Sequence, residues 1–368
     1  MIEPSTSIHD FAVRRDDYTQ TGFFERPLEA PSPDQVIFRV DRYALTANNI
    51  SYATAGDMIG YWRFFPAEDG WGRLPCFAFA DVVGSNHDQV REGDRYFGYF
   101  PMSTHLVVDA SRVKPGSLVD DAEHRRALPA AYNQYTAVAH DPFYDPQYED
   151  AQMLLKPLFM TSFLIDDFLA ENSFFGAKQA VITSASSKTS IALAFQLRSR
   201  SLGEVVGLTS ARNRAFVERL GFYDRVATYE EVESLDAAKS VVAIDMAGNA
   251  ELTRRLHEHF GQNMAHDCLV GGTHWTERGR AESLPGAKPE FFFAPAQIQK
   301  RSADWGPQGL FERIGKAWLP FATATDQWLE VRHGYGHDAV SEAYEQVVRG
   351  NASPEQGHVL SLWPHPDL

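Results

Sequence analysis

Cysteine is scarce in this chain: Cys76 and Cys268 are the only two among 368 residues. Two thiols cannot build a disulfide scaffold or a four-thiolate zinc site, and Cys76 lies in an apolar run that suits a buried, inert thiol. Positive charge is also in deficit. Lys plus Arg number 34 against 49 Asp plus Glu, a net −15 that repels phosphate backbones and anionic membranes at long range and argues against a nucleic-acid partner. A local pair of cations and backbone amides can still hold one phosphate group in such a protein. No apolar stretch approaches a membrane span, and residues 1–16 contain no signal-type apolar core, so a reducing, cytoplasmic location is expected. The thirteen histidines do not fall into a ligand pattern. His257 and His259 are two apart and face different sides of a helix, and His333 and His337 stand in a Gly-rich stretch, so no metal site is expected. A Gly-x-Ser-x-Gly elbow for hydrolysis is missing too.

What is present is ordinary globular material, 44% hydrophobic and 23% charged, in a chain long enough for two domains. From Gln35 to Asp109 short strand patterns (QVIFRVDRYAL, FAFADVVGS, DRYFGYF, THLVV) are separated by Gly, Asp, Asn and Pro clusters, which predicts a β-rich, barrel-like domain. From about Lys178 to Phe293 the pattern changes. The apolar runs QAVITSA, EVVGLTS, DRVATY, SVVAIDMAG, HDCLVGGT and EFFFA alternate with helical patterns, as in a parallel sheet covered on both faces. Right-handed crossovers make that sheet doubly wound, and Gly221 stands where a helix ends. Residues 154–175 are in helical register, with Asp166, Asp167 and Glu171 among the apolar positions. Beyond Trp305 the chain is aromatic and mixed, then ends in an amphipathic helix (HDAVSEAYEQVVRG) and a short strand (VLSLW).

The candidate chemistry begins after the first strand of the parallel sheet. A dinucleotide-binding fold places a glycine-rich loop there, but this chain has Ser184-Ala185-Ser186-Ser187-Lys188-Thr189. Small hydroxyl side chains and one cation at a helix start can still receive a diphosphate through backbone amides. The alternative is an ordinary serine helix cap. After the second strand come Ser210 and Arg212, where an NAD site would carry an acid for the ribose diol. The reversed charge fits the 2′-phosphate of NADP, and a solvated helix start is the competing explanation. Gly248, Gly271 and Gly272 end later strands, where a backbone can come close to a ligand or simply turn.

Taken together, VREGDRYFGYFPMSTHLVV, the join LPAAYNQYTAV and the α/β run that follows resemble the medium-chain dehydrogenase/reductase superfamily, on its zinc-free, quinone-oxidoreductase-like side. KPLFMTSFLIDDFLAE, VITSASSKTSIALAFQL and FFFAPAQIQKR resemble, more narrowly, a bacterial and fungal branch defined only as a domain of unknown function. The resemblance implies an α/β protein with a GroES-like β-barrel domain built from both chain ends (1–135 and 306–368) and an inserted Rossmann doubly wound parallel-sheet domain (136–305). It also implies a cleft holding NADP against a small-molecule substrate. Zinc members carry Gly-His-Glu where this chain has Ala78-Phe79-Ala80, so a metal-free enzyme is implied. In zinc-free relatives hydroxyl and amide groups polarise the substrate, and the corresponding stretch is Ala47 to Tyr52. Tyr52 is the expected proton donor, against the alternative of a core tyrosine, with Asn48 and Asn49 orienting the carbonyl or the cofactor. Asp57 and Tyr61 are weaker candidates. Tyr135 and Thr136 fall where the family's interdomain segment approaches the nicotinamide. The expected activity is reduction of an enone, quinone or enoyl thioester with NADPH, by a protein that resembles homodimers. A lyase or hydratase on the same scaffold, or a nucleotide sensor without turnover, remains open.

Overall fold

The computed structural model describes residues 7–365 apart from 55, 111, 129–131, 201–202 and 271–283. Gln35–Leu45 and Pro75–Ser85 pair antiparallel, and runs such as Val36–Phe38 and Ala78–Ala80 are buried on both faces while the end of the second strand alternates buried with half-exposed side chains. They lie in a nine-stranded sheet that runs Glu330–Tyr335, Gln356–Ser361, Gln35–Leu45, Pro75–Ser85, Arg95–Pro101, Gln134–Ala137, Ser117–Val119, Arg112–Lys114, with His105–Asp109 also on Gln35–Leu45. Both ends of the chain thus meet in one sheet, since Gln356–Ser361 pairs directly with Gln35–Leu45. A smaller sheet orders Thr21–Pro27, Ser7–Arg14 and Trp71–Gly72. The first two of those strands were not expected from the sequence: Asp10 and Arg14 interrupt the apolar pattern of Ser7–Arg14, and Glu25 and Arg26 that of Thr21–Pro27.

Aromatic side chains fill the core of this sheet system. Phe38 packs on Phe100 and Tyr135 at centroid distances of 5.4 and 5.5 Å, and Gly98 lies under the Tyr135 ring so closely that a Cβ would come within 2.4 Å of it. The glycine of the FGYF run therefore serves packing.

The second sheet has six strands in the order Arg225–Thr228, Glu204–Thr209, Gln179–Ile182, Val241–Asp245, Met264–Leu269, Pro289–Phe291, all parallel. Counted along the chain the order is 3-2-1-4-5-6, the Rossmann arrangement expected from the sequence. Its central strands are buried throughout, as strands with helices on both faces must be. Gly221 ends a helix in the left-handed conformation, φ 67°.

Two helices depart from the sequence reading. Glu149–Glu171 starts before Leu154, and the chain leaves it through Phe174 and Phe175 at positive φ. Ala294–Thr325 occupies the stretch read as mixed; Gly306 kinks it (φ 74°, ψ 155°), and Pro307 and Pro320 hide its periodicity. The chain divides into two compact units, Met1–Leu154 with Leu329–Leu368, and Leu155–Trp328. Both crossings fall later in the chain than the sequence reading placed them.

Candidate functional site

In the parallel-sheet unit, the turn after Gln179–Ile182 is made without glycine. Ser184 takes φ 49°, a left-handed conformation that costs an L-residue roughly 1–2 kcal/mol. The surrounding hydrogen bonds hold it there. Ala185 donates its amide to the Leu208 carbonyl at 2.9 Å and Ser187 donates to the Ser184 carbonyl at 2.7 Å. The Tyr223 hydroxyl donates to the Ala185 carbonyl at 2.8 Å. Beneath the loop, Gly207 leaves space that a Cβ would close, at 2.8 Å from the Tyr223 ring and 2.9 Å from Ala185.

Helix Lys188–Leu197 starts from this loop. Ser187 caps it by accepting from the Ser190 amide at 3.2 Å, and Ser190, fully buried, donates its hydroxyl to the Thr183 carbonyl at 3.1 Å. The cap reading is therefore correct for Ser187, and it does not displace the anion reading, because the amides of Ser186 and Thr189 meet no acceptor among the described residues. Those amides and the positive end of the helix are what an anion would find. Lys188 is the first helical residue and half-buried.

The loop after Glu204–Thr209 is tied to the first. Asn213 donates its side-chain amide to the Ser186 hydroxyl at 2.9 Å. Ser210 precedes a short helical turn without capping it. Arg212 is exposed, and its guanidinium has no ion-pair partner among the described residues, whereas the nearby Arg214 is held by Glu218 and Glu231. Gly248 takes φ 67° and donates its amide to Asp245 at 2.9 Å. Gly271 and Gly272 lie outside the described residues.

Sequence reasoning missed Asp245 and Thr183. Asp245, at the end of Val241–Asp245, accepts from the Thr183 hydroxyl at 3.0 Å and from the amides of Ala247 and Gly248, so one buried carboxylate shapes two loop starts. An acid ending an apolar strand and followed by small residues was its only signal.

In the other unit, helix Ala47–Thr54 carries Asn48, Asn49 and Tyr52. Asn49 is buried and its side chain is fully engaged: Oδ1 accepts from the Thr46 amide at 2.7 Å and Nδ2 donates to the Pro75 carbonyl at 2.8 Å. Asn48, half-buried, has no such bonds among the described residues. Tyr52 stacks on Tyr61 at 4.6 Å and meets Tyr99 edge-on at 6.0 Å; Tyr99 in turn packs on Tyr132 at 4.7 Å. Burial, with Tyr132 close by, pushes the Tyr52 phenol well above its usual value. Asp57 is exposed on the next short helix. Tyr135 is wholly buried, accepting from Arg125 at 2.7 Å and donating to the Tyr99 carbonyl at 3.1 Å, while Thr136 is half-buried in the same strand.

The fold just described is that of the medium-chain dehydrogenase/reductase proteins. CurA of Vibrio vulnificus, solved with NADPH, superposes with a TM-score of 0.58 at 9% identity over 94% of this chain and 95% of that one. A quinone oxidoreductase of Coxiella burnetii gives 0.56 at 13% identity over 97% and 99%, and a putative NADPH:quinone reductase of Bacillus thuringiensis gives 0.58 at 14% over 97% and 99%. Within that fold, the chain belongs to the DUF2855 family of proteins of unknown function, whose profile matches residues 43–353. No curated protein matches the sequence. Among the described residues no helix is long and apolar enough to cross a membrane.

Proposed function

We propose that the protein is an NADPH-dependent, metal-free reductase of a carbonyl-conjugated small molecule, an enone, quinone or enoyl thioester. The observation that carries this reading is the loop pair at the end of the parallel sheet: a helix start whose amides at Ser186 and Thr189 meet no acceptor among the described residues, tied through Asn213 to a second loop that presents Arg212, without an ion-pair partner among those residues. The residues present fit a dinucleotide phosphate. Ser184, Ser186, Ser187, Lys188 and Thr189 would receive the diphosphate, Ser210 and Arg212 the 2′-phosphate, and Gly248 the ribose. NADPH and quinone in the names of the structural neighbours support the same cofactor and chemistry.

When bound, NADPH supplies the hydride. The chain's own part is to hold the substrate oxygen while charge develops on it, and Tyr52 suits that role: a tyrosine phenol is protonated at neutral pH and can donate a hydrogen bond to an enolate oxygen. Asn48, whose side chain meets no partner among the described residues, would orient the carbonyl, and Thr136 remains in the proposal as a lining residue. Asn49 and Tyr135 stand outside it, because every strong polar atom of theirs is used within the barrel unit.

Pro289–Phe291 is the last strand of the sheet among the described residues, and Phe293 just after it is 58% exposed, which supports a homodimer joined there. Two unpaired thiols suit a cytoplasmic protein. The test is binding of NADPH and NADH followed by nicotinamide fluorescence. Arg212→Ala is expected to weaken NADPH at least tenfold and leave NADH nearly unchanged. An equal effect on both refutes the 2′-phosphate assignment, and no response to either removes the reductase and the sensor readings together. Consumption of bound NADPH on a panel of enones and quinones then separates turnover from sensing.

A further inference from the structure

The three-stranded sheet of the barrel unit carries a pocket of about 460 Å³ that plays no part in the site above. Alternate residues of its strands share one face, so Asp10 and Ala12, Phe24 and Arg26, Trp71 and Arg73 stand side by side. Ala12, the smallest of them, leaves a hollow that the larger neighbours wall. Phe24 and Trp71 form its aromatic side, edge to face at 4.9 Å.

The charges of this face do not balance. The buried Asp10 carboxylate takes both Arg26, at 2.9 Å, and Arg73, at 3.0 Å, and also accepts from Ser103. Two guanidinium groups thus share one carboxylate. Burial, opposed by Asp10 but assisted by the charge of Arg26, holds Arg73 below the usual arginine value, and its Nε finds no acceptor among the described residues. Arg26 bonds through Nε alone; its two terminal nitrogens meet no acceptor among the described residues, and its side chain is 42% exposed. At the floor Asp10 alone faces two guanidinium groups beside an aromatic wall, and Arg26 keeps two terminal nitrogens as donors, although with Glu25 and Glu68 the acids of the whole lining outnumber its cations by one. Glu25 and Glu68 stand exposed at the rim, where a second negative charge on a ligand would face them.

We propose that this pocket binds a small aromatic monocarboxylate, its carboxylate on Arg26 and its ring against Phe24 and Trp71. The unused donors of Arg26 select an acid, the aromatic wall a flat apolar body, and the rim glutamates a monoanion over a dianion.

The test uses benzoate, benzylamine and phthalate as probes, with affinity read by calorimetry and ring contact by saturation-transfer NMR on the full chain. Benzoate is expected to bind, with benzylamine and phthalate at least tenfold weaker. Arg26→Gln is expected to weaken benzoate at least tenfold while the melting temperature holds, since that side chain is partly exposed. Glu25→Gln with Glu68→Gln is expected to bring phthalate closer to benzoate. Phe24→Ala serves as a second probe and is expected to lower benzoate affinity. Tighter binding of benzylamine would mean that the glutamates and rings form a cation site and would overturn the proposal. So would benzoate binding that survives Arg26→Gln, or no benzoate binding at all. None of these outcomes depends on NADPH.

Discussion

Arg125→Met is the sharpest perturbation of the barrel unit. The guanidinium is wholly buried; Nη1 donates to Asp120 at 2.8 Å and to Tyr135 at 2.7 Å, Nε to Asn133 at 3.0 Å, and Nη2 to the Tyr132 carbonyl at 2.7 Å. Methionine fills much of the volume but leaves Asp120, itself 2% exposed, without its cation. Breaking such a pair from one side costs about 3–5 kcal/mol. At roughly 2–4 °C per kcal/mol for a unit of this size, the melting temperature should fall by on the order of 10 °C. The assay is calorimetric melting of the full chain, compared with the double variant Arg125→Met/Asp120→Asn. Asp120 also accepts from the amides of Asp109 and Ala122, at 3.2 and 3.0 Å, which asparagine can still satisfy. Removing the stranded charge should therefore restore about 1–2 kcal/mol. A single variant that loses less than 1 kcal/mol, or a double variant no better than the single, would show that an uncompensated buried carboxylate is not what the arginine prevents.

Ser184→Gly should relieve the left-handed turn and raise stability by about 0.5–1 kcal/mol with NADPH binding retained, read as a rise in the melting midpoint. Gly207→Ala should push Tyr223 and Ala185 apart, cost about 1–3 kcal/mol and weaken NADPH with it; unchanged denaturation would mean that the loop floor has slack. His257 is buried between two acceptors, the Pro285 carbonyl and Asp267, each at 2.9 Å, so the pair holds a proton. Burial lowers the His257 value, but the bonds to Asp267 and Pro285 outweigh it and leave the imidazole raised; burial leaves Asp267 raised as well. The folded state therefore holds the proton shared by this pair more tightly than the unfolded chain does. The contribution of His257 is complete below about pH 6.5 and declines as pH rises through its folded value. Urea titrations at several pH values check this, and His257→Gln should flatten the slope between pH 6 and 8.

The parallel sheet was legible in the chain because strands buried on both faces must be continuous apolar runs, and Gln179–Ile182, Glu204–Thr209 and Val241–Asp245 are such runs. Helix Ala294–Thr325 was not, because Gly306 and its prolines erase the local period while packing of Leu310, Ile314, Trp318 and Phe321 restores the helix. In the candidate site, the serine loop and Arg212 could be picked out by position, since they follow the first and second strands of a readable order. Asp245 could not, because its role depends on a partner 62 residues away, Thr183.

Composition and local pattern settle what one residue can know from its neighbours: two sheets of different kinds, a reversed charge after the second strand, too few thiols for a scaffold. They do not tell whether a polar atom is already spent. Asn49 and Tyr135 were as promising by position as Asn48 and Tyr52, and only the folded chain shows that Thr46, Pro75, Arg125 and the Tyr99 carbonyl have claimed them. The same holds for Asp10, Arg26 and Arg73, which are distant in sequence and become one face only when three strands align. A side chain's chemistry is intrinsic, but its availability depends on long-range hydrogen bonds and burial, which tertiary structure alone decides.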